Sequence, residues 1–194
     1  MYSLAGIEIG KGTVIARDAI IKRGVKLGND VEIRSKCYLQ FVSIGNNTVI
    51  DRGTLLVGVK NKRFCIGNES YIGYYNILDG SGGLEIGDCV HIAGPGVGIW
   101  THSSILQALF GSKMGDHTHR KEGYVKIGDN IWIGGNTTIY PDTEISDFSV
   151  VLSNSVVNKT VPSNSMVGGA PIKILKKIVI EKDNIKFVDT NERI

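Results

Sequence analysis

The sequence predicts an all-β fold, a parallel β-helix, from two observations. Aliphatic residues recur at every sixth position, first at Ile9, Ile15, Ile21, Leu27, Ile33 and Leu39, and again at Ile127, Ile133, Ile139, Ile145, Val151 and Val157. Glycine is abundant and proline scarce, at 25 and 4 residues of 194, which is typical of short strands separated by turns. A period of six matches neither the helical period of about 3.6 nor the strand period of about 2. It matches a chain that turns a corner every six residues and points one aliphatic side chain inward from each flat segment.

Each element of this fold can be placed by its position in the repeat. Three flat segments make one coil of about 18 residues, and about seven coils at the β spacing of about 4.8 Å make a prism roughly 35 Å tall. The residue after the inward position is often glycine, as at Gly28, Gly45 and Gly87, which suits tight corners that stack closely. Two positions before the inward residue there is often a second aliphatic residue, as at Val25 and Val31. The resulting V-x-I-G pattern is typical of hexapeptide β-helix repeats.

Three segments interrupt the period, and we expect them to leave the prism. Residues 57–64 and 79–84 are short excursions, whereas residues 100–124 form a long loop. A long loop on a rigid scaffold is more often functional than idle. We therefore expect one β-helix domain at residues 1–171, followed at residues 172–194 by a tail of short extended or helical structure that packs on the helix.

Composition and charge exclude several classes of protein. The chain is 42% hydrophobic and 21% charged, with a mean hydropathy of +0.03, which is globular composition. We expect no membrane span, which needs about 18–20 apolar residues, and no signal peptide. The net charge of +3 comes from scattered Lys and Arg, so no nucleic-acid partner is predicted. Cys37, Cys65 and Cys89 form no CxxC pair and indicate a cytoplasmic location rather than a disulfide framework or a zinc site.

Three segments contain sequence motifs in addition to the six-residue repeat. They are IGDCVHIAGPGVGIWTH at 86–102, VKIGDNIWIGGNTTIYPDTEI at 125–145 and SVVNKTVPSNSMVGGAPIKILK at 155–176. In these segments the sequence resembles the hexapeptide acyltransferases, within the galactoside/maltose acetyltransferase and polysaccharide O-acetyltransferase branch. The resemblance covers about residues 65–176. It implies a left-handed β-helix, a homotrimer, and acetyl-CoA bound in grooves between adjacent subunits.

His102 is the candidate general base that this resemblance implies. It ends the first of the three segments, where the period breaks and the long loop begins. A hydroxyl is a poor nucleophile, and a neutral imidazole within about 3 Å can take its proton as it attacks a thioester, a contribution of about 10²–10⁴-fold. A donor must also stabilise the developing oxyanion, and we expect a backbone N–H at Gly134 or Gly135, where the family places a main-chain contact. The alternative is that His102 is an ordinary surface histidine.

The resemblance also implies an acetyl-CoA site. Trp132 replaces the usual small aliphatic residue at an outward-facing position and would line the donor or acceptor groove, or alternatively a subunit contact. Lysines in the C-terminal motifs would approach the CoA phosphates and neutralise them, although each could be a solvated surface lysine. The expected cofactor-binding residues are Trp132, Gly134, Gly135, Ser153, Lys159, Lys173 and Lys176.

Four residues are candidates for contacts to the acceptor. Asn76 and Asp79, in YYNILDG one coil below His102, match a region that contacts acceptor hydroxyls in sugar acetyltransferases. His117 and His119 form H-T-H in the long loop. This pair could alternatively bind a metal, as histidines do in the related fold of γ-class carbonic anhydrases, but no third ligand at suitable spacing is visible, so no metal site is expected.

Three further polar residues are interpreted as structural. The alternation points His91 outward as a solvated residue. Asp88 and Asp129, in the IGD repeats, are expected to cap turns.

The combined prediction is an acetyl-CoA-dependent O-acetyltransferase that acts on a hydroxyl of a sugar or a cell-surface polysaccharide precursor. An N-acetyltransferase for an amino sugar nucleotide remains an alternative, because an amine needs less help from a base. Two further alternatives are a metalloenzyme like the γ-class carbonic anhydrases and a catalytically silent trimeric assembly module.

Overall fold

The computed structural model describes residues 6–182 and 184–190 and confirms the all-β, left-handed parallel β-helix. Short strands stack into three parallel sheets that form the faces of a triangular prism. Each coil contributes one strand to each face, and the described residues contain seven complete coils. The first five residues of the predicted domain and the last four of the predicted tail lie outside the described residues, as does position 183.

The strands are short and alternate regularly among the three faces. The first face holds β1 (Glu8–Ile9), β4 (Lys26–Leu27), β7 (Ser43–Ile44), β10 (Phe64–Ile66), β13 (Leu84–Ile86), β18 (Val125–Ile127) and β21 (Thr143–Ile145). The second face holds β2 (Val14–Ile15), β5 (Glu32–Ile33), β8 (Val49–Ile50), β11 (Tyr71–Ile72), β14 (His91–Ile92), β19 (Trp132–Ile133), β22 (Val150–Val151) and β24 (Ser165–Gly168). The third face holds β3 (Ile20–Ile21), β6 (Tyr38–Gln40), β9 (Leu55–Val57), β12 (Ile77–Asp79), β15 (Gly98–Ile99), β20 (Thr138–Ile139) and β23 (Val156–Val157).

The core is the column of residues at the predicted inward positions. The side chains of Leu39, Ile72 and Ile133 are fully buried, because every coil places its inward residue between those of its neighbours. Ile9 does not follow the prediction, since it is 42% exposed. It lies in the first described coil, where no other described coil covers this side of the residue.

Close stacking at the edge between the first and second faces explains the glycine and aspartate of the repeat. Asp88 Oδ1 accepts a hydrogen bond from the Asn68 amide at 2.6 Å, and Asp129 Oδ1 accepts one from the Asp88 amide at 2.8 Å. Both aspartates therefore bond the backbone of the neighbouring coil at this edge, rather than the backbone of their own turn as predicted. A Cβ on Gly45 would lie 2.7 Å from the carbonyl carbon of Gly67, so only glycine fits where these corners meet.

The edge between the third face and the first face of the next coil carries all three interruptions, and we call it the loop edge. Residues 57–64, 79–84 and 100–124 all leave the prism there, one above the other. The long loop contains β16 (His102–Ser103), α1 (Ile105–Leu109) and β17 (Lys121–Glu122). No helix in the described part of the chain is long and apolar enough to cross a membrane.

The second face continues beyond the coils as a hairpin. β25 (Lys173–Glu181) pairs antiparallel with β24, and β26 (Asn184–Asp189) pairs with β25, so this sheet has ten described strands. Ile178 is buried and anchors the hairpin. The described part of the tail is therefore extended, one of the two structures that the sequence left open.

Candidate active site

His102 and Asp79 form a hydrogen-bonded pair on the loop edge. The Nδ1 atom of His102 lies 2.8 Å from the Oδ2 atom of Asp79. A carboxylate only accepts hydrogen bonds, so we assign the proton to Nδ1, which leaves Nε2 as an acceptor. The side chain of His102 is 32% exposed, whereas that of Asp79 is 9% exposed. The pair therefore consists of an accessible imidazole held by a buried carboxylate.

Asp79 is held in its ionised form by a dense set of donors. Burial acts to raise the pKa of its carboxyl group, but hydrogen bonds from His102, Thr101 and Ser81 outweigh burial and hold the pKa below the ordinary value of 3.8. The Thr101 amide donates to Oδ2 at 3.0 Å, and the Ser81 amide donates to Oδ1 at 3.2 Å. These contacts fix the carboxylate and, through it, the orientation of the imidazole ring.

Glycines in the second interruption allow it to lie against the third. A Cβ on Gly82 would collide with the carbonyl oxygen of Thr101, and Gly83 has a φ of +106°, which other residues rarely adopt. The segment between β12 and β13 therefore follows the wall of the prism closely. This course places Ser81 Oγ 3.0 Å from Nδ1 of His102.

Antiparallel pairing closes the long loop directly at His102. β16 pairs with β17, so His102 lies opposite Glu122. The Gly123 amide also donates to the Thr101 carbonyl at 2.9 Å. The loop consequently leaves and re-enters the prism at one place, and both of its ends are fixed beside the imidazole.

Side-chain contacts join all three interruptions at the site. Arg120, near the end of the long loop, donates from Nη2 to Ser81 Oγ at 2.6 Å. Glu122 forms an ion pair with Lys62 of the first interruption, at 2.6 Å. The sequence analysis missed Arg120, Ser81 and Lys62. The sequence indicated only that these residues lie in the three interruptions. A position in an interruption does not predict which side chains contact each other.

A cavity of about 370 Å³ opens between His102 and the long loop. Gln107, Lys113, His117 and Arg120 contribute to its lining. Its volume lies in the range of small-molecule sites, roughly 300–1,000 Å³. The arrangement thus combines a proton acceptor with a partly open cavity that a small polar molecule can enter.

The two histidines of the H-T-H pair lie in different surroundings. His117 lines the cavity together with His102. His119 stacks on Phe110, with ring centroids 4.4 Å apart, and its Nδ1 lies 3.1 Å from Ser112 Oγ. Of the two, His117 is thus accessible from the cavity, whereas His119 is engaged with the loop itself.

No metal cluster accompanies these histidines in the residues that the structure describes. Over residues 6–182 and 184–190, no group of three or more His, Cys, Asp and Glu side chains is arranged to hold a metal ion.

The expectation that Asn76 contacts an acceptor is wrong. Its side chain is fully buried. Nδ2 donates to the Gly73 carbonyl at 2.8 Å, and Oδ1 accepts from the Val97 amide at 2.9 Å. Asn76 therefore satisfies backbone groups inside the wall. Asp79 is also buried, and its contacts assign it to holding His102 rather than to the acceptor.

Most of the predicted cofactor residues lie together, but away from His102. Trp132 projects from the second face and is 37% exposed. Gly134, Gly135 and Ser153 lie at the edge between the second and third faces, where a Cβ on Gly134 would meet the backbone nitrogen of Ser153 at 2.6 Å. In a triangular prism the second face is opposite the loop edge, so one copy of the chain does not bring these residues next to the imidazole.

The predicted lysines divide between two places. Lys173 and Lys176 lie on β25, which extends the second face beyond Trp132. Lys159 is exposed and follows β23 on the loop edge, two coils beyond β15. Lys159 is therefore the one predicted cofactor residue on the same edge as His102.

The suggested oxyanion donor at Gly134 is also corrected. The Gly134 amide donates to the Val151 carbonyl at 2.9 Å within the coil stack, so it is not free for a ligand. The Gly135 amide takes no backbone acceptor in the described part of the chain, which leaves it as the candidate donor.

Comparisons with known proteins agree with this fold. No protein-family model matches the chain. It is 39% identical over 130 residues to "Putative acetyltransferase YJL218W" of Saccharomyces cerevisiae, covering 61% of this chain and 60% of that protein. It is 28% identical over 184 residues to "Putative lipopolysaccharide biosynthesis O-acetyl transferase WbbJ" of Escherichia coli K12, covering 84% of this chain and 86% of that protein.

Some relatives are much longer than the segment that matches this chain. The chain is 24% identical to the bifunctional protein GlmU of Streptococcus thermophilus, covering 91% of this chain but 40% of that protein. The chain thus spans less than two thirds of the length of YJL218W and GlmU.

Solved structures share the architecture. AntD, an N-acyltransferase from Bacillus cereus, superposes in a complex with dTDP and coenzyme A with a TM-score of 0.62 at 21% identity, covering 88% of this chain and 83% of that one. The hexapeptide-repeat acetyltransferase VCA0836 from Vibrio cholerae, complexed with acetyl coenzyme A, gives a TM-score of 0.50 at 24% identity, covering 90% of this chain and 72% of that one. At these identities the likeness shows the fold alone.

Fold and site together define a left-handed β-helix protein with a histidine–carboxylate pair at the base of a loop-covered cavity. In sequence the chain is similar to proteins named as acetyltransferases, and its fold is similar to that of a solved hexapeptide-repeat acetyltransferase.

Proposed function

We propose that the protein is an acetyl-CoA-dependent O-acetyltransferase that modifies a hydroxyl group of a saccharide. The observation that carries this proposal is the His102–Asp79 pair, because it leaves Nε2 unprotonated in a residue that lines a cavity large enough for a sugar. Transfer to oxygen, rather than nitrogen, is supported by WbbJ, which carries O-acetyl transferase in its name and matches most of this chain.

In this mechanism His102 acts as the general base. Acetyl-CoA, when bound, supplies an activated acetyl thioester. Nε2 of His102 takes the proton of the acceptor hydroxyl as its oxygen attacks the thioester carbonyl. Asp79 stabilises the imidazolium that forms, because its carboxylate remains ionised and hydrogen-bonded to Nδ1. His102 then returns the proton to the departing sulfur, so the hydroxyl proton ends on the CoA thiol.

The donor side of the site is assigned to the second face. A groove of about 370 Å³ there is lined mainly by apolar side chains, among them Trp132, Val150 and Phe187, which suits the uncharged arm of CoA. Lys173 and Lys176 lie farther along the same face and would neutralise its phosphates. These residues fit the chemistry of acetyl-CoA, and the Gly135 amide is the proposed oxyanion donor.

We also propose that the working enzyme is a trimer, with each site shared between two copies. The second face and the loop edge lie on opposite sides of one prism, so His102 of one copy can meet Trp132 only from an adjacent copy. A cytoplasmic location fits the three free cysteines.

Substitution of His102 tests the proposed function. His102→Ala should lower kcat by about 10²–10⁴-fold, the range expected for loss of a general base, in an acetyl-transfer assay with hydroxyl and amino sugars. Binding of CoA, measured by calorimetry, should change little, because the imidazole acts on the other substrate.

Lys121→Ala is the matched control, because Lys121 is an exposed residue on the strand that pairs with β16. It should keep nearly full activity. Activity retained in His102→Ala would contradict the proposal, and transfer confined to amino sugars would favour N-acetylation instead.

A further inference from the structure

Arg120 is a cation of the site that has an unused donor. Its Nε atom is buried and has no hydrogen-bond partner, although a buried donor left unpaired is costly. Nη2 is fixed on Ser81, and the residue lines the cavity beside His102. Arg120 is thus a cation of the cavity wall, held by Ser81, and its unpaired Nε has almost no exposed surface of its own.

The cavity is also positively charged. Lys113 and Arg120 both contribute to its lining, and none of its lining residues is Asp or Glu. Asp79 accepts from His102, and Asp116 accepts from Thr118. Glu122 pairs with Lys62, which lowers the pKa of its carboxyl group, and the charge of Arg120 acts in the same direction. Glu122 does not line the cavity, so the cations that line it have no carboxylate among the other lining residues.

We propose that the acceptor is an anionic saccharide, whose carboxylate or phosphate group binds Arg120, with Lys113 contributing charge. This inference rests on the proposed function and narrows its substrate class. Guanidinium groups suit both oxyanions, because their planar set of donors matches two oxygens at once. A hydroxyl of a neutral sugar can also accept a hydrogen bond from Arg120, but it brings no negative charge to balance the cations that line the cavity.

The positions of Arg120 and His102 limit how far apart the anionic group and the reacting hydroxyl of the acceptor can be. Ser81 Oγ lies 2.6 Å from Nη2 of Arg120 and 3.0 Å from Nδ1 of His102. The guanidinium and the imidazole are consequently only one hydroxyl group apart. Because Ser81 contacts Nδ1, an acceptor that binds both groups must extend from the guanidinium to Nε2, on the other side of the imidazole ring.

Matched pairs of acceptors test the inference. Glucose is compared with glucuronate and with a glucose phosphate, and galactose with its own two counterparts, for binding by calorimetry and for acetyl transfer. The wild-type protein should favour the anionic member by about 10- to 100-fold, the range of a charge-assisted hydrogen bond. The better of the two anions identifies whether the acceptor is a uronate or a sugar phosphate.

Substitution of Arg120 then assigns the effect to this residue. Arg120→Gln should remove most of the preference, chiefly through KM, while Arg120→Lys should keep part of it because it keeps the charge without the planar fork. Lys121→Gln, at the neighbouring exposed residue, should leave the preference intact. CoA binding in each variant reports whether the fold and the donor site survive.

Equal binding of neutral and anionic sugars by the wild-type protein would overturn the inference, as would an unchanged preference in Arg120→Gln. Because sugar binding is measured without turnover, these outcomes stand apart from the proposed function. That function fails if CoA does not bind and no sugar is acetylated, whereas equal acetylation of neutral sugars contradicts this inference alone.

Discussion

Asp79 determines how His102 can act. Its carboxylate accepts from the imidazole, the Thr101 amide and the Ser81 amide, so the residue is both a structural anchor and the partner of the proposed base. Burial alone would favour the neutral acid, but these donors hold the pKa below 3.8. The negative charge is therefore retained where an imidazolium would form.

Replacing Asp79 by Asn tests whether catalysis depends on the tautomer and orientation of His102, because the imidazole itself is still present. An amide group facing Nδ1 favours the opposite tautomer, in which Nε2 carries the proton and cannot accept another. We expect kcat to fall by about 10²-fold or more, with little change in CoA binding. Asp129→Asn, which changes a capping residue far from the cavity, should keep normal kinetics. A kcat near the wild-type value in Asp79→Asn would contradict the assigned tautomer.

The same substitution carries a prediction for the pH dependence of stability. Because the folded pKa of Asp79 is lowered from 3.8, the unfolded chain binds more protons there than the native protein does. The stabilisation from Asp79 is thus present above the unfolded pKa and is lost as the pH falls through the folded pKa. Denaturant unfolding in this acidic range should show a weaker pH dependence for Asp79→Asn than for the wild type.

At this scale the sequence could predict His102 but not its partners. His102 follows a recognisable segment at a break in the period, whereas Arg120 and Ser81 lie 39 positions apart. Which side chains meet across two interruptions depends on the path of each loop. The repeat does not encode this path, and for the same reason Asn76 and Asp79 were assigned to the acceptor although both are buried.

The long loop is the element that encloses the cavity. It is closed by the β16–β17 pair, and its helix α1 buries none of its residues. Leu109 and Phe110 are exposed at the end of that helix. The loop is therefore held in place by its paired ends and by contacts such as that of Arg120 with Ser81, and not by a hydrophobic core of its own.

Replacement of the loop tip should affect one substrate only. If residues 106–114 are exchanged for a Gly/Ser linker of equal length, the cavity loses Gln107 and Lys113 while His102 and Arg120 remain. We expect a higher acceptor KM and nearly unchanged CoA affinity, measured by steady-state kinetics and calorimetry. Loss of CoA binding with normal acceptor kinetics would instead place the donor at the loop.

Among the elements, the coils were predictable and the additions were not. Where the period of six holds, it specifies the inward residue of a flat segment, and side chains such as Leu39 and Ile133 are buried accordingly. Helix α1 and strands β16 and β17 lie in the segment without the period, where nothing repeats to indicate structure. The hairpin of β25 and β26 depends on pairing with β24, a contact that local sequence does not specify.

Across the whole molecule the three faces differ in the residues that they present to solvent. The outward row of the first face is mostly charged: Glu8, Lys26, Ser43, Cys65, Glu85, Lys126 and Glu144. The outward row of the third face has no charge: Ile20, Tyr38, Leu55, Ile77, Gly98, Thr138 and Val156. An uncharged row of this length, with Ile77 39% exposed, is a surface suited to burial against another copy.

Assembly is therefore expected to be trimeric, with the third face buried and the first face in solvent. Light scattering at micromolar concentration should give three times the chain mass of 21.0 kDa, and a mass near that of one chain would contradict the shared site. Ile77→Lys, on the third face, should shift the protein toward the monomer, because an unpaired charge would be buried at the contact. The same residue introduced on the first face by Ser43→Lys should leave the mass unchanged.

If the site is shared, the Ile77→Lys monomer should also lose acetyl transfer although its His102–Asp79 pair is intact. A fully active monomer would place Trp132 outside the catalytic site.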